Sequence, residues 1–424
     1  MKRYSEYKDS GVKWIGEIPG HWKIMRLRAY LSMYSEKNHP DKQLLSVTRE
    51  SGVIVRNTES KEENHNYIPD DLSGYKLVRI GDFAINKMKS WQGSYGVSNF
   101  EGIVSPAYYV CKLKFPYKDF FSNAIRCKAY IPFFTQYSKG IRVDQWDLSP
   151  IALKNIPFFE PPLPEQEAIV TYLDSKVAKI DEYISIAEKK IAALEELKQT
   201  IIAEAVTRGI HKDVPMKDSG VKWIGMIPEH WDLKRTAMLF SENRKKNINY
   251  EFDHALKFNY GKLVSKNEIG DVSSLKETYM AYTVINKNDI AINCLNLNYD
   301  FVSQRVAISP QKGIITSAYL IITPRQGVEA MYYNYLFKAM DSKKLFHGMG
   351  TGIRLTLSFS ELKKQQIPVP PLPEQQEIVT YLDSKVANIN QLCQTERAQI
   401  EKLKEYKQRL ISDVVTGKVK VMND

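Results

Sequence analysis

The chain contains itself twice. Lys8-Asp9-Ser10-Gly11-Val12-Lys13-Trp14-Ile15-Gly16 returns 209 residues later as Lys217 to Gly225. At the same offset His21-Trp22 returns as His230-Trp231, and Pro161-Pro162-Leu163-Pro164-Glu165-Gln166 as Pro370 to Gln375. Ile169 to Ala178 is repeated letter for letter as Ile378 to Ala387. The period is far beyond the roughly 20–50 residues of a solenoid repeat. The 424 residues are therefore expected to form two homologous units of about 209 and a short tail. The interiors match only at scattered anchors, such as Ala84-Ile85-Asn86 with Ala291-Ile292-Asn293. Near-identical ends around unlike middles imply one scaffold carrying two different specificities.

Each unit closes on a long amphipathic run. Pro and Glu suit a first helical turn. Beyond Leu163-Pro164-Glu165, the residues Leu173, Val177, Ile180, Ile184, Ala187, Ile191 and Leu194 alternate steps of four and three. That spacing predicts a coiled-coil seam, continued after a slip by Leu197, Ile201 and Ala205. The second copy gives Leu382, Val386, Ile389, Cys393, Ile400, Leu403, Tyr406, Leu410 and Val414. A helix this long cannot bury its seam inside a small globule, so the economical solution pairs the two helices antiparallel. The expected fold class is α+β: two tandem α/β domains, each followed by a long helix, with the helices forming an antiparallel coiled coil. The expected divisions are 1–162 (constant segment 8–22), 163–209, 210–371 (constant segment 217–231) and 372–424. Strands are expected at Leu44–Val47, Val53–Arg56, Phe83–Asn86, Tyr108–Leu113, Ile290–Cys294 and Ala318–Thr323. Helices are expected near Phe120–Tyr137 and Val328–Phe346. Ser149-Pro150 reads as a helix cap, and Ser358 with Glu361 as a capping box.

The formal net charge is +11, unevenly placed. Residues 165–209 carry nine acidic and six basic side chains, and 374–418 seven of each, which leaves +14 on the rest. A basic excess on the globular parts suits nucleic acid. No apolar run reaches the ~18 residues of a membrane span, no secretory leader is apparent, and the four cysteines form no C-x-x-C pair. A cytoplasmic protein without metal sites is expected. No methyltransferase tetrapeptide, phosphate loop or H-E-x-x-H occurs.

Two divergent α/β units, each followed by a long helix opened by P-P-L-P-E-Q and preceded by W-I-G-x-I-P-x-H-W, resemble the specificity subunit of type I restriction–modification enzymes. The resemblance spans essentially the whole chain. It implies a non-catalytic subunit whose two variable units are target-recognition domains, each reading half of a bipartite asymmetric duplex site, with the helices as the ruler between them. It further implies two methyltransferase subunits carrying S-adenosylmethionine, and restriction subunits using ATP and Mg. The alternative is a coiled-coil scaffold or adaptor without sequence-specific DNA binding.

Base reading needs Arg or Lys for guanine and Asn or Gln for adenine. The segment Lys87 to Tyr95 offers Lys87, Lys89, Ser90, Gln92 and Ser94, with Trp91 and Tyr95 as stacking candidates. Its counterpart offers Asn293, Asn296, Asn298, Tyr299, Gln304 and Arg305. Arg49, Arg56 and Asn57 follow the first strand, with Lys257, Asn259, Lys262 and Lys266 opposite; the lysines suit phosphates. Arg142 and Arg354 follow Gly-Ile in both units, and being shared they suit the backbone or the fold.

Overall fold

The computed structural model describes residues 3–58, 68–140, 146–266, 272–350, 352 and 355–422, with 272–274 as backbone only. The chain divides into two compact units, Met1–Ala187 with Ala398–Asp424, and Glu188–Arg397. Each unit thus holds one end of each long helix.

In the first unit, strands Tyr7–Asp9 and Glu17–Pro19 form an opening hairpin. Lys23–Arg26 then pairs antiparallel with Pro157–Glu160, Lys23 opposite Glu160. This two-stranded neck is where the chain enters and leaves the divergent interior. Beyond it lies an antiparallel sheet ordered Leu31–Tyr34, Tyr109–Leu113, Phe83–Ile85, Tyr95–Val97. The second unit repeats the plan. Its opening hairpin is Met216–Asp218 with Met226–Pro228, and its neck is Asp232–Arg235 with Gln366–Val369. Its sheet is ordered Phe240–Glu242, Leu320–Pro324, Ile290–Ile292, Val306–Ile308. A separate hairpin precedes each sheet's central strands: Leu45–Thr48 with Gly52–Val55, and Leu256–Asn259 with Lys262–Ser265.

The expected helix at Phe120–Tyr137 is two helices, Lys118–Arg126 and Ile131–Tyr137. Pro132 forces the break, because proline is tolerated only in a first turn. Between them, Phe120, Phe121, Phe133 and Phe134 bury an aromatic core with Phe83 and Phe158. The second expected helix runs Ala330–Ser342 and ends before Lys344, which sits at φ 58° and starts a short 3₁₀ turn. Ser149 caps Pro150–Asn155 by accepting from the Ala152 N–H at 3.1 Å, and the Ser358–Glu361 capping box forms.

The P-P-L-P-E-Q segments open helices Leu163–Arg208 and Leu372–Val415, and the structure shows what each letter does. The Gln166 amide donates to the Pro161 carbonyl at 2.8 Å, as Gln375 does to Pro370. Glu165 meets His21 at 2.8 Å, and Glu374 meets His230 at the same distance. The constant segments are thus pinned to the helix starts by the same contact in both units. Each helix end is pinned too. Gly209 and Gly417 have φ of 76° and 75°, the left-handed stop that glycine adopts cheaply. A Cβ on Gly417 would collide with Pro19 and stand 3.2 Å from the buried Trp22 ring. Gly417→Ala is therefore expected to lower stability by about 1–3 kcal/mol in urea unfolding. Gly209→Ala should cost less, since its Cβ would only press Trp231 at 3.3 Å.

Along both helices the seam residues from Leu173 to Leu194 and from Leu382 to Cys393 face inward. The expected slip at Leu197 does not occur. Leu197 and its repeat counterpart Tyr406 are exposed, and Lys198 and Lys407 take the seam positions with their stems half-buried. Lys407 pairs with Asp181 at 2.7 Å in the first unit, and Lys198 donates to Asn390 at 3.1 Å in the second. These are the same contact at the repeat offset. Lys190 also pairs with Glu396 in the second unit. No helix among the described residues is long and apolar enough to cross a membrane.

Candidate nucleic-acid interface

In each unit the neck carries the sheet, and the sheet presents two adjoining irregular features. One is the turn of the separate hairpin; the other is the loop after the second sheet strand in sequence. In the first unit these are Thr48–Gly52 and Asn86–Ser94. A single half-buried side chain joins them. Arg126 donates to the hairpin carbonyls of Arg49 and Glu50 at 3.0 and 2.9 Å. The same guanidinium donates to the loop carbonyls of Gly93, at 3.4 Å, and Tyr95. Gly52 and Gly96 leave room for it: a Cβ on Gly52 would stand 3.1 Å from its Nη1. Burial presses the Arg126 pKa downward, so the carbonyl dipoles are what hold the charge in place.

The second unit solves the same problem from a different place. Arg305 is fully buried at the end of the loop Asn293–Gln304. It donates to the carbonyls of Asn293 at 3.2 Å, Leu295 at 2.7 Å, Asn296 at 3.4 Å and Asp300 at 2.6 Å. Its backbone N–H donates to Asp341 at 2.8 Å. The Asp300 carboxyl is held down at about 2, first by the Ser303 N–H and hydroxyl. The residue before it, the exposed Gln304, lies against the hairpin tip, where a Cβ on Gly261 would collide with it. Behind that hairpin, burial pushes Lys338 down to about 8, with repulsion from Lys262 and Lys198 added.

This geometry sorts the candidates. Arg49, Asn57 and Lys89 are exposed in the first unit, as are Lys257, Asn259, Lys262, Asn296, Tyr299 and Gln304 in the second. Arg56, Gln92, Asn293 and Asn298 are half-buried. Lys87 is partly buried and paired with Asp147 at 2.9 Å, which raises its pKa. Lys266 lies over the Tyr282 ring at 6.0 Å. Four expectations are corrected. Ser90 and Ser94 are buried, and the Ser90 hydroxyl donates to the Lys87 carbonyl at 3.2 Å within the fold. Tyr95 is buried and stacks on Phe134 with centroids 3.8 Å apart, so it belongs to the aromatic core and not to a groove. Arg305 organises its loop from within. Trp91 is half-buried: its ring meets Trp146 edge-on at 5.5 Å, and its N–H donates to the Met88 carbonyl at 3.2 Å. Arg142 and Arg354 lie outside the described residues. Sequence reasoning missed Arg126, Trp146 and Tyr260. Only Tyr260 left a signal, a Tyr-Gly pair between two short apolar-polar alternations.

Comparison with known proteins bears on what such a pair of loops reads. Residues 228–402 match the family model of the type I restriction modification DNA specificity domain. The chain is 25% identical to the type I restriction enzyme MjaVIII specificity subunit of Methanocaldococcus jannaschii, covering 98% of both chains. It is 23% identical to the putative MjaX specificity subunit of the same organism, again over 98% of each. Over nearly its whole length, then, the chain is similar to type I restriction enzyme specificity subunits. A further relative, 22% identical, is the EcoBI specificity subunit of Escherichia coli, matched over 61% of this chain and 57% of that one. The fold agrees as well. A chain solved in a study of assembly and conformational transition of the type I R-M system superimposes with a TM-score of 0.67, at 16% identity, covering 95% of this chain and 99% of that one. The specificity-domain match falls on the second unit and its helix. The first unit repeats that unit's His–Glu and Gln–Pro frame contacts.

Proposed function

We propose that this chain is a specificity subunit that reads a bipartite, asymmetric duplex site, one half-site in each unit, through the paired hairpin turn and loop. The observation that carries this reading is the contrast within each unit. The frame contacts, His–Glu, Gln–Pro and the glycine stops, are the same twice. The hairpin and loop differ in every exposed polar residue: Arg49 and Lys89 on one side, Asn259, Lys262, Asn296 and Gln304 on the other. A constant frame with unlike polar tips suits two unlike half-sites. The chain supplies recognition, and the chemistry resides on partners: S-adenosylmethionine on a methyltransferase subunit, ATP and Mg on a restriction subunit.

The two long helices form an antiparallel coiled coil that sets the spacing between half-sites. The support is that partner numbers run oppositely: Lys407 with Asp181, Lys190 with Glu396, Lys198 with Asn390. Two methyltransferase subunits dock on equivalent faces of the helices. The exposed side chains Tyr183 and Tyr406 belong to the first unit, at the level of the Lys407–Asp181 pair. Leu392 and Leu197, their repeat counterparts, belong to the second, at the level of Lys198–Asn390. A duplicated apolar pair suits two identical partners.

The test is binding by the chain with its methyltransferase partner. One bipartite duplex, identified by methylation-state sequencing of the host genome, should bind at least about 10³-fold more tightly than a scrambled duplex at the same salt. Equal binding to both would leave only phosphate attraction and favour a scaffold.

A further inference from the structure

One residue breaks a local rule without a compensating gain. The hairpin Leu256–Asn259 with Lys262–Ser265 pairs Asn259 with Lys262, so Tyr260-Gly261 is a two-residue turn. Both turn residues have positive φ, 46° and 70°. That turn favours Asn-Gly, since Asn tolerates the left-handed region and a bulky side chain does not. Tyr260 therefore costs stability where it sits. Packing returns nothing, because it is 92% exposed. Such inconsistencies collect at functional positions.

The surroundings say what the ring meets. Strand alternation puts Lys257, Asn259 and Lys262 on the exposed face of the hairpin, while Leu256 and Leu263 bury its other face. Gln304 braces the tip against the loop, whose Tyr299 and Val302 are 78% and 92% exposed. The tip is thus braced, flanked by cations and an amide, and led by an aromatic ring. A two-stranded ribbon of this kind fits the major groove.

We propose that Tyr260 is a specificity-determining residue of the second half-site. The hairpin enters the duplex groove tip-first, with the tyrosine ring packed on base edges and Asn259 and Lys262 beside it. This rests on the DNA-reading function proposed above.

The turn chemistry supplies the test. Tyr260→Asn installs the residue the turn prefers, so the variant should melt at the same temperature or higher. In complex with the methyltransferase, its affinity for the cognate duplex should fall by about tenfold or more. In a panel of single base-pair changes, discrimination should relax at one or two adjacent pairs of a single half-site. The penalties in the other half-site should stay as in the wild type. Unchanged affinity and an unchanged penalty profile would overturn the inference while leaving the DNA-reading function standing. Loss of methyltransferase from the purified complex would also overturn it, by showing that the tip faces a protein partner. A wild-type complex without any sequence preference would remove both.

Discussion

Exchange of residues 24–160 for the matching segment of another specificity subunit should change one half of the recognised sequence and leave the other half and the spacer as they were. The neck is why the cut belongs there. Residues 23 and 160 are cross-strand partners, so both ends of the exchanged segment lie side by side. The hairpin turn, the loop and Arg126 all lie beyond that pair. Two constraints limit the donor. Trp14 donates to the Ala129 carbonyl at 3.1 Å and packs on Phe133 at 4.9 Å. Phe158 and Phe159 share one buried cluster with Ile169, Leu173, Leu410 and Val414 from the helices. A donor with smaller residues there would leave a cavity costing about 2–5 kcal/mol. Methylation-state sequencing reads the outcome. Change in both halves, or in neither, would contradict one half-site per unit.

The division between what the residues disclosed and what they hid follows from range. The repeat, the long helices and the caps at Ser149 and Ser358 are local patterns, readable from spacing alone. The paired strands near Leu45, Phe83 and Ile290 are local as well. The reading surface is not local. Ser90, Ser94 and Tyr95 look like a polar loop in sequence, yet the 3₁₀ turn Ser90–Gln92 rolls them inward against Ile131–Tyr137, and a turn's direction is decided by what it packs on. Arg305 resembles a guanine reader until the five carbonyl and carboxylate groups around it are seen. Arg126 lies 33 residues beyond the loop it holds and showed no pattern at all. The two arginines come from different elements, a helix end and a strand start, so the repeat itself could not align them. The seam was misjudged at Leu197 for a related reason. Hydrophobicity alone favoured Leu197, but a lysine stem with an acidic or amide partner across the seam displaced it.

Four residues inserted in both long helices, after Ala187 and after Arg397, should lengthen the preferred spacer by two base pairs with both half-sites unchanged. Insertion near Ala192 in the central helix alone would shift Lys198 from Asn390, so matched insertions are the cleaner test. Length and rotation both enter. Four residues advance a helix by ~6 Å and turn it by ~40° beyond a full revolution. Two base pairs advance the duplex by ~6.8 Å and turn it by ~70° in the same right-handed sense. The two displacements nearly match, leaving ~30° for twist in the DNA. Seven residues match three base pairs even better in length, ~10.5 against ~10.2 Å. In rotation they fail, because a heptad drifts only ~20° while three base pairs turn ~100°. The four-residue variant should therefore bind its lengthened site more tightly than the seven-residue variant binds its own. If distance were all that mattered, the seven-residue variant would bind at least as well. A spacer that stays constant in both would mean that the helices do not measure the site.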